Sequence, residues 1–499
     1  MIQCALCPRR RGPVPPCGPV PARVLLIGEG PSYEEDRQGV PFSGRTGQEL
    51  DQTYLTIANL PRSVVHITNA RLCSEKRYEN PTPEQALACA AVHLGETLAR
   101  VKPQIVVPMG AAACSLFPGI NLNLDHGIPQ PGAWGSWRGI LFPQFHPSAG
   151  MHSRGYMIPL MQDFDSLRKM IAALDRGEFE YPYDPFPNPD YRVCRTEQDL
   201  NDYLPNGEVE FLACDTESLP DGRAYCMTLS HTPGTGRLIY AKNRRLLEEL
   251  AATITNCGFA DVSEYIHLLF HNYLYDVAPF DEIDLPIGPF SDTMVRAYNL
   301  CLGGGGDDDE ESRAGRGSLG LKTLAYRHCA IRMTSFDDTV HPHSIPHVLN
   351  YLYSAADVFK PGAHDPAICT CNHHKTMHDP RGKTGKLFGA CRSCPCDRFT
   401  TRKKPKPSLD DKAFNQLYLK ITNIILDLDS GKNINPWDRI KQWEPPADSN
   451  MMIDVCGPIP VPSIEHVPEP SLLRYACRDA DATLRLHLKL RGLRPWIFY

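Results

Sequence analysis

Four short apolar runs, VLLIG, VVHIT, QIVVPMG and GILFPQF, recur between Arg23 and about Gly177 with helical stretches between them. Unbroken apolar runs of strand length, each followed by a helix, belong to strands covered on both faces, so the pattern predicts a parallel-sheet α/β unit. One helix is marked at its start by Thr82, Pro83 and Gln85, a capping box around a first-turn proline, and runs through Cys89 to Arg100. The rhythm stops at FEYPYDPFPNPDYR (179–192), a proline-rich and aromatic stretch that predicts a linker without regular structure. It resumes with EFLACDTE from Glu210 and continues through YIHLLFHN and a helix near Leu321–Arg327 to a closing helix over about Pro470–Leu490. Two interruptions follow: GGGGDDDEESRAGRG (303–317), which reads as a flexible loop, and a long break that contains a short helical segment near Phe414–Leu428. The expected organisation is therefore a first domain over 1–178, a linker over 179–192, and a second domain over 193–499 interrupted by an insertion at 337–450. At 499 residues, more than one core is expected in any case.

Composition narrows the function classes. Hydrophobic content of 42% and charged content of 22% are those of globular chains, and no apolar run is long enough to span a bilayer, so no membrane partner is expected. The start, MIQCALCPRRR, lacks the apolar core of a secretory signal, which predicts a cytoplasmic setting. There the 19 cysteines read as metal ligands and buried thiols rather than disulfides. A net charge of -6 excludes a wholly basic nucleic-acid coat but not an enzyme with a local DNA groove.

The first unit ends three of its strands in chemistry. Glu29 follows VLLIG, Asn69 closes HITN, and His146 follows the last run in FHPS, so a carboxylate, an amide and an imidazole share the carboxyl rim of one sheet. A glycine pair after a strand more often marks a phosphate loop, but the third glycine is missing here. The segments GEGP, EED, PFSG, TNARLC and HPS together resemble the family 4 uracil-DNA glycosylases over about residues 1–175. That resemblance implies a flipped uracil and an N-glycosidic bond that breaks with oxocarbenium character. It casts Glu29 as the group stabilising the cation and positioning water, supported by Glu35 or Asp36. His146 would stabilise the departing base, Phe42 would stack on it, and Gly30 and Asn69 would complete the uracil pocket. It also implies a [4Fe-4S] cluster on Cys4, Cys7, Cys73 and Cys89, a choice over zinc that spacing alone cannot make. Ser32, Ser43 and Thr46 depart from the family pattern.

The second unit carries carboxylates at telling spacings. Residues two apart on a strand share a face, so Asp215 and Glu217 of DTE point to one place. HNYLYD sets Asn272 and Asp276 four apart, and YACRD does the same for Tyr475 and Asp479, which is helical spacing. The ordered set is what two-metal phosphodiester hydrolysis requires. With SDTM, GLKTLA and YACRDADATLRLHL it resembles the 3′-5′ exonuclease domain of bacterial-type DNA polymerase I, of the tyrosine-bearing DEDDy subgroup with an RNase H-like fold. By that resemblance Asp215, Glu217, Asp276 and Asp479 hold two Mg²⁺ or Mn²⁺ ions, and Tyr475 orients water. No polymerase sequence follows before Tyr499, which makes a separate DNA polymerase an expected partner for proofreading in trans.

Cys369, Cys371, His373, His378, Cys391, Cys394 and Cys396 have zinc-ligand spacing within 364–399, more than one tetrahedral ion requires, so one or two structural Zn²⁺ are expected. The expectation is a bifunctional enzyme, in a bacterial or virus-infected bacterial cytoplasm, that excises uracil from DNA and trims 3′ ends. Its rivals are a replisome-bound module that recognises uracil without excising it, and an exonuclease acting on RNA.

Overall fold

A computed structural model describes residues 12–74, 78–205, 209–256, 266–300, 302, 319–359, 411–432, 434–442, 452–453 and 456–493. Cys4, Cys7 and the whole cysteine and histidine set between 364 and 399 lie outside the described residues.

The first sheet has the order β2-β1-β3-β5-β4, built from β1 (Val24–Gly28), β2 (Val65–Asn69), β3 (Ile105–Pro108), β4 (Gln130–Trp134) and β5 (Trp137–Leu141). β1 pairs in parallel with β2 and β3, and only β4 runs antiparallel to its neighbour. All five residues of β1 are buried, because both faces are covered. Leu25 and Ile27 pack on Ala86, Ala90, Leu94 and Leu98 of the predicted capped helix, which spans Pro83–Val101. Val24 and Leu26 face Leu160, Phe164 and Leu167 of the helix Arg154–Arg176. We number the helices used below α1 (Tyr33–Gln38), α2 (Pro83–Val101), α3 (Pro147–His152) and α4 (Arg154–Arg176). The result is a three-layer α/β unit with a parallel core, as expected.

The second sheet has the order β11-β10-β7-β8-β9-β6, from β6 (Asp190–Val193), β7 (Phe211–Ser218), β8 (Ala224–Ser230), β9 (Thr235–Tyr240), β10 (His267–Phe270) and β11 (Phe290–Asp292). β7, β8 and β9 form an antiparallel meander, while β10 and β11 add in parallel on the far side of β7. Apart from β6 this is the RNase H-like strand order. Helices α5 (Tyr273–Glu282) and α6 (Leu321–Cys329) flank it, and α10 (Glu469–Leu490) crosses one face. Ala213 of β7 packs on Leu484 of α10, whereas Leu212 and Cys214 enter the core on the opposite face. That alternation turns Asp215 and Glu217 toward α10.

Two expectations need correction. The linker is not irregular throughout: its last three residues belong to β6, which pairs in parallel with β9. Upstream, Asp184 is anchored to α10 by Arg478 at 2.6 Å and Arg485 at 2.7 Å. The insertion, in turn, does not open as a break. It begins with a 24-residue helix, α7 (Phe336–Phe359), which contains Pro342 and Pro346. Val348, Leu352 and Phe359 of α7 share a separate small core with Leu417 and Ile421 of α8 (Asp411–Asp429) and Trp437 and Ile440 of α9 (Pro436–Lys441). Burial on partners distant in sequence holds a helix that its prolines argue against. Among the described residues, no helix is long and apolar enough to cross a membrane.

Candidate active sites

Glu29 leaves the end of β1 and is 9% exposed, its Oε1 accepting the amide of Ala112 at 3.0 Å. Burial pushes its pKa up, and the amides of Ala112 and Ala111 pull the other way. Gly110, with φ of +93°, is required beside it, since a Cβ there would stand 2.5 Å from the Glu29 Cδ. Gly28 makes the second close approach. A Cβ on it would meet Asn69 Oδ1 at 2.4 Å and the Phe42 ring at 2.5 Å, so its bare Cα lets the amide and the ring converge on the strand end. Asn69 is buried at the end of β2, and its Nδ2 has no partner among the described residues. Phe42 sits in a left-handed turn at φ of +53°, and its ring centroid lies 5.6 Å from that of His146.

His146 caps α3, its Nδ1 2.8 Å from Ser148 Oγ and accepting the Ser148 amide at 3.4 Å. The neutral ring therefore carries its proton on Nε2. Burial pulls its pKa down to about 4. Glu35 has both carboxylate oxygens engaged by backbone: Oε2 takes the Ser32 amide at 2.7 Å and Oε1 the Phe42 amide at 2.5 Å. It thus holds the Phe42 turn. Asp36 is buried, with Oδ2 accepting the Tyr78 hydroxyl at 3.4 Å and Oδ1 without a partner among the described residues. Gly30 faces Pro81 and the Arg71 guanidinium.

Sequence reasoning missed Gln144, fully buried two residues before His146, whose side-chain amide atoms have no partner among the described residues. Its signal was present as one polar residue in the apolar run GILFPQF. Of the four expected cluster cysteines, Cys73 and Cys89 are described. Both are buried, Cys73 after β2 and Cys89 on α2, and the Leu72 amide donates to Cys89 Sγ at 3.4 Å. Two buried sulfurs, one with an N–H···S bond, fit the sulfur donor set of a cluster or zinc site.

On the second sheet, Asp215 and Glu217 from β7 and Asp479 from α10 bring ligand oxygens within 4.8 Å of one another. Burial pushes all three pKa values up, Asp479 to about 7, neighbouring carboxylates including Asp276 add to it, and the Lys322 ammonium on α6 opposes it. Carboxylates forced together in this way fit divalent cations, which offset the repulsion. Asp276 stands behind the trio on α5, its Oδ1 accepting from Thr216 Oγ1 at 2.6 Å and Thr216 N at 3.0 Å. Burial raises its pKa to about 6, against those two hydrogen bonds. Tyr475 is buried one turn before Asp479 with Lys322 Nζ 5.0 Å from its ring centroid, and burial with the neighbouring carboxylates keeps its phenol protonated. A cavity of about 840 Å³ opens beside Tyr475 and Asp479, lined by Arg332, Arg474 and Arg478 among others. Lys322 and these arginines also escaped sequence reasoning.

Residues 15–174 match the Uracil DNA glycosylase superfamily. The type-4 uracil-DNA glycosylase of Thermotoga maritima is 30% identical over 175 residues, 34% of this chain and 90% of that protein. The type-4 enzyme of Archaeoglobus fulgidus is 32% identical over 179 residues, 34% of this chain and 86% of its own. Similar solved structures include the catalytic core of RRP6 from Trypanosoma brucei, at TM-score 0.24 and 17% identity over 31% of this chain and 39% of that one. Brucella melitensis NrnC with bound Mg²⁺ gives TM-score 0.21 and 19% identity over 30% and 64%. The chain spans less than two thirds of either structure. Through its first sheet, with Glu29, Asn69 and His146 on the rim, this chain belongs to the type-4 uracil-DNA glycosylases.

Proposed function

We propose that the chain is a bifunctional DNA-processing enzyme that hydrolyses the N-glycosidic bond of deoxyuridine at one site and removes 3′-terminal nucleotides at the other. One observation carries this: two carboxylate-centred sites stand on separate sheets, neither sharing a residue with the other.

In the glycosylase, the Glu29 carboxylate stabilises positive charge developing at the sugar and orients the attacking water. Hydrogen bonding from the Ala112 amide to Oε1 holds the carboxylate in place for this. His146 donates from Nε2 to the departing uracil anion. Asn69 reads the base edge, since an amide satisfies both O4 and N3–H of uracil, whereas cytosine presents an amino donor in place of O4. Phe42 stacks on the ring, held in its turn by Glu35. Gln144 is a second uncommitted amide for base or water. Cys73 and Cys89, with Cys4 and Cys7, would hold the iron-sulfur cluster.

In the nuclease, Asp215, Glu217, Asp479 and Asp276 would hold two Mg²⁺ or Mn²⁺ ions. When bound, such ions would acidify water and neutralise charge on the phosphate. Tyr475 would donate from its protonated phenol to orient the attacking water, and Lys322 places a positive charge beside it. Arg332, Arg474 and Arg478 attract the phosphate backbone through the adjoining cavity. The set between 364 and 399 is proposed as structural zinc.

Product chemistry tests both halves. Free uracil released from a single-stranded uracil oligonucleotide in EDTA, and nucleoside monophosphates released only after Mg²⁺ is added, are the expected products. Binding of that oligonucleotide with neither product formed would reject the enzyme reading in favour of a binding module.

A further inference from the structure

Helix α6 lies between the two sites. It packs on the nuclease through Leu321, Leu324 and Ala325 against Ala482, Leu486 and Leu490 of α10, and its first turn presents Lys322 to Tyr475. Its last turn faces the other way, into the glycosylase. The Tyr326 hydroxyl donates to Asp125 Oδ1 at 2.7 Å. Arg327 Nη1 reaches His126 O at 2.7 Å and His126 Nε2 at 2.7 Å, and its Nη2 reaches Asp163 Oδ1 at 3.1 Å. Asp163 is only 1% exposed, on α4, and its Oδ2 lies 2.5 Å from His126 Nδ1.

These contacts fix the state of His126. A guanidinium has no acceptor, so the Nε2 that faces it is the acceptor, and the ring proton sits on Nδ1 and donates to Asp163. Burial and the Arg327 charge oppose a second proton, although Asp163 favours one. The oriented ring then packs on Phe145 with centroids 4.3 Å apart, and Tyr156 holds Phe145 from another side at 4.9 Å. Phe145 is bonded to His146, whose ring lies against Phe42. Contact is continuous from α6 to the imidazole.

We propose that Arg327, a residue of the nuclease half, is a positioning residue for uracil excision, setting His146 through His126 and Phe145. The inference rests on the glycosylase reading of His146. It makes uracil excision depend on both halves: among the described residues, the cation that completes the His126–Asp163 pair comes from α6. Simple domain glue would need the same salt bridge but would leave the chemistry of His146 untouched.

The test is single-turnover uracil excision by the full chain, with enzyme concentration varied to separate the saturating rate from half-saturation. Arg327→Ala lowers the saturating rate by about five- to tenfold, the lower range for coupled sites, and leaves half-saturation unchanged. Arg327→Lys recovers part of it, keeping charge on Asp163 but losing the fork that spans both partners. Phe145→Leu lowers the rate from the other end of the path, and the double variant is no slower than the slower single one. Mg²⁺-dependent trimming by the same preparations reports that α6 is folded. An unchanged saturating rate in Arg327→Ala, a change confined to half-saturation, or losses that multiply in the double variant would overturn the inference. Failure of the unmutated chain to release uracil would instead reject the glycosylase reading and remove its basis.

Discussion

The pH profile of uracil excision follows from the burial of His146. An ordinary imidazole, with a pKa of about 6.5, is about 90% protonated at pH 5.5, whereas one held at about 4 is about 3% protonated there. In the proposed reaction the ring would thus donate from Nε2 as a neutral group across the working range. Excision should show no alkaline limb near pH 6.5, which a cationic acid would produce. Its acid limb belongs to Glu29, whose ionised form is needed and whose pKa is raised. His146→Asn should lower the saturating rate by about 100- to 1000-fold, the usual cost of one donor to a developing anion, without introducing a new limb. Stability has its own sign. The folded state resists protonating His146, so the stability it confers is full above about pH 6.5 and is lost as pH falls toward 4, by up to about 3 kcal/mol. Single-turnover rates from pH 5 to 9 on wild type and His146→Asn measure this directly. An alkaline limb between pH 6 and 7 that disappears in His146→Asn would refute the neutral-donor account.

Other perturbations separate the two sites. Thr216→Val removes the hydroxyl bond to Asp276, about 1.5–3 kcal/mol to a charged acceptor, and leaves the backbone bond in place. The Asp276 pKa moves further up, so Mg²⁺-dependent trimming should fall more at pH 6.5 than at pH 8.5; equal losses would count against it. Gly110→Ala drives a Cβ onto Glu29 in a left-handed turn, and should abolish uracil release while trimming persists, as measured by product chromatography. Arg474→Ala should weaken oligonucleotide binding and reduce the slope of log affinity against log salt by about one, read by fluorescence anisotropy over a salt series.

Sequence carried what local pattern can carry. VLLIG announced a strand covered on both faces, and Glu29 at its end is placed by that fact alone. The D-x-E spacing on β7 fixed which face two carboxylates share, and Y-x3-D put Tyr475 and Asp479 on one side of α10. Contacts between distant segments had no such signal. The β6–β9 pairing is hidden in a proline-rich stretch, and α7 is hidden by its own prolines because its stability comes from α8 and α9. Glu35 is an intermediate case: Ser32 and Glu35 spell a capping box, so its engagement with backbone was legible but was outweighed by the acidic EED motif. Nothing near Arg327 in sequence points to Asp163, 164 residues away.

One polypeptide is proposed to hold two chemically distinct catalytic sites, each with its own catalytic residues. A 5′-end-labelled oligonucleotide with one internal uracil, resolved on a denaturing gel after alkali treatment, tests it most directly. Wild type, Glu29→Ala and Asp215→Ala would be compared with and without Mg²⁺. The account predicts a metal-independent break at the uracil, lost only in Glu29→Ala, and a metal-dependent 3′ ladder, lost only in Asp215→Ala. Loss of both products in either variant, or persistence of either product in the variant aimed at it, would contradict two distinct catalytic sites.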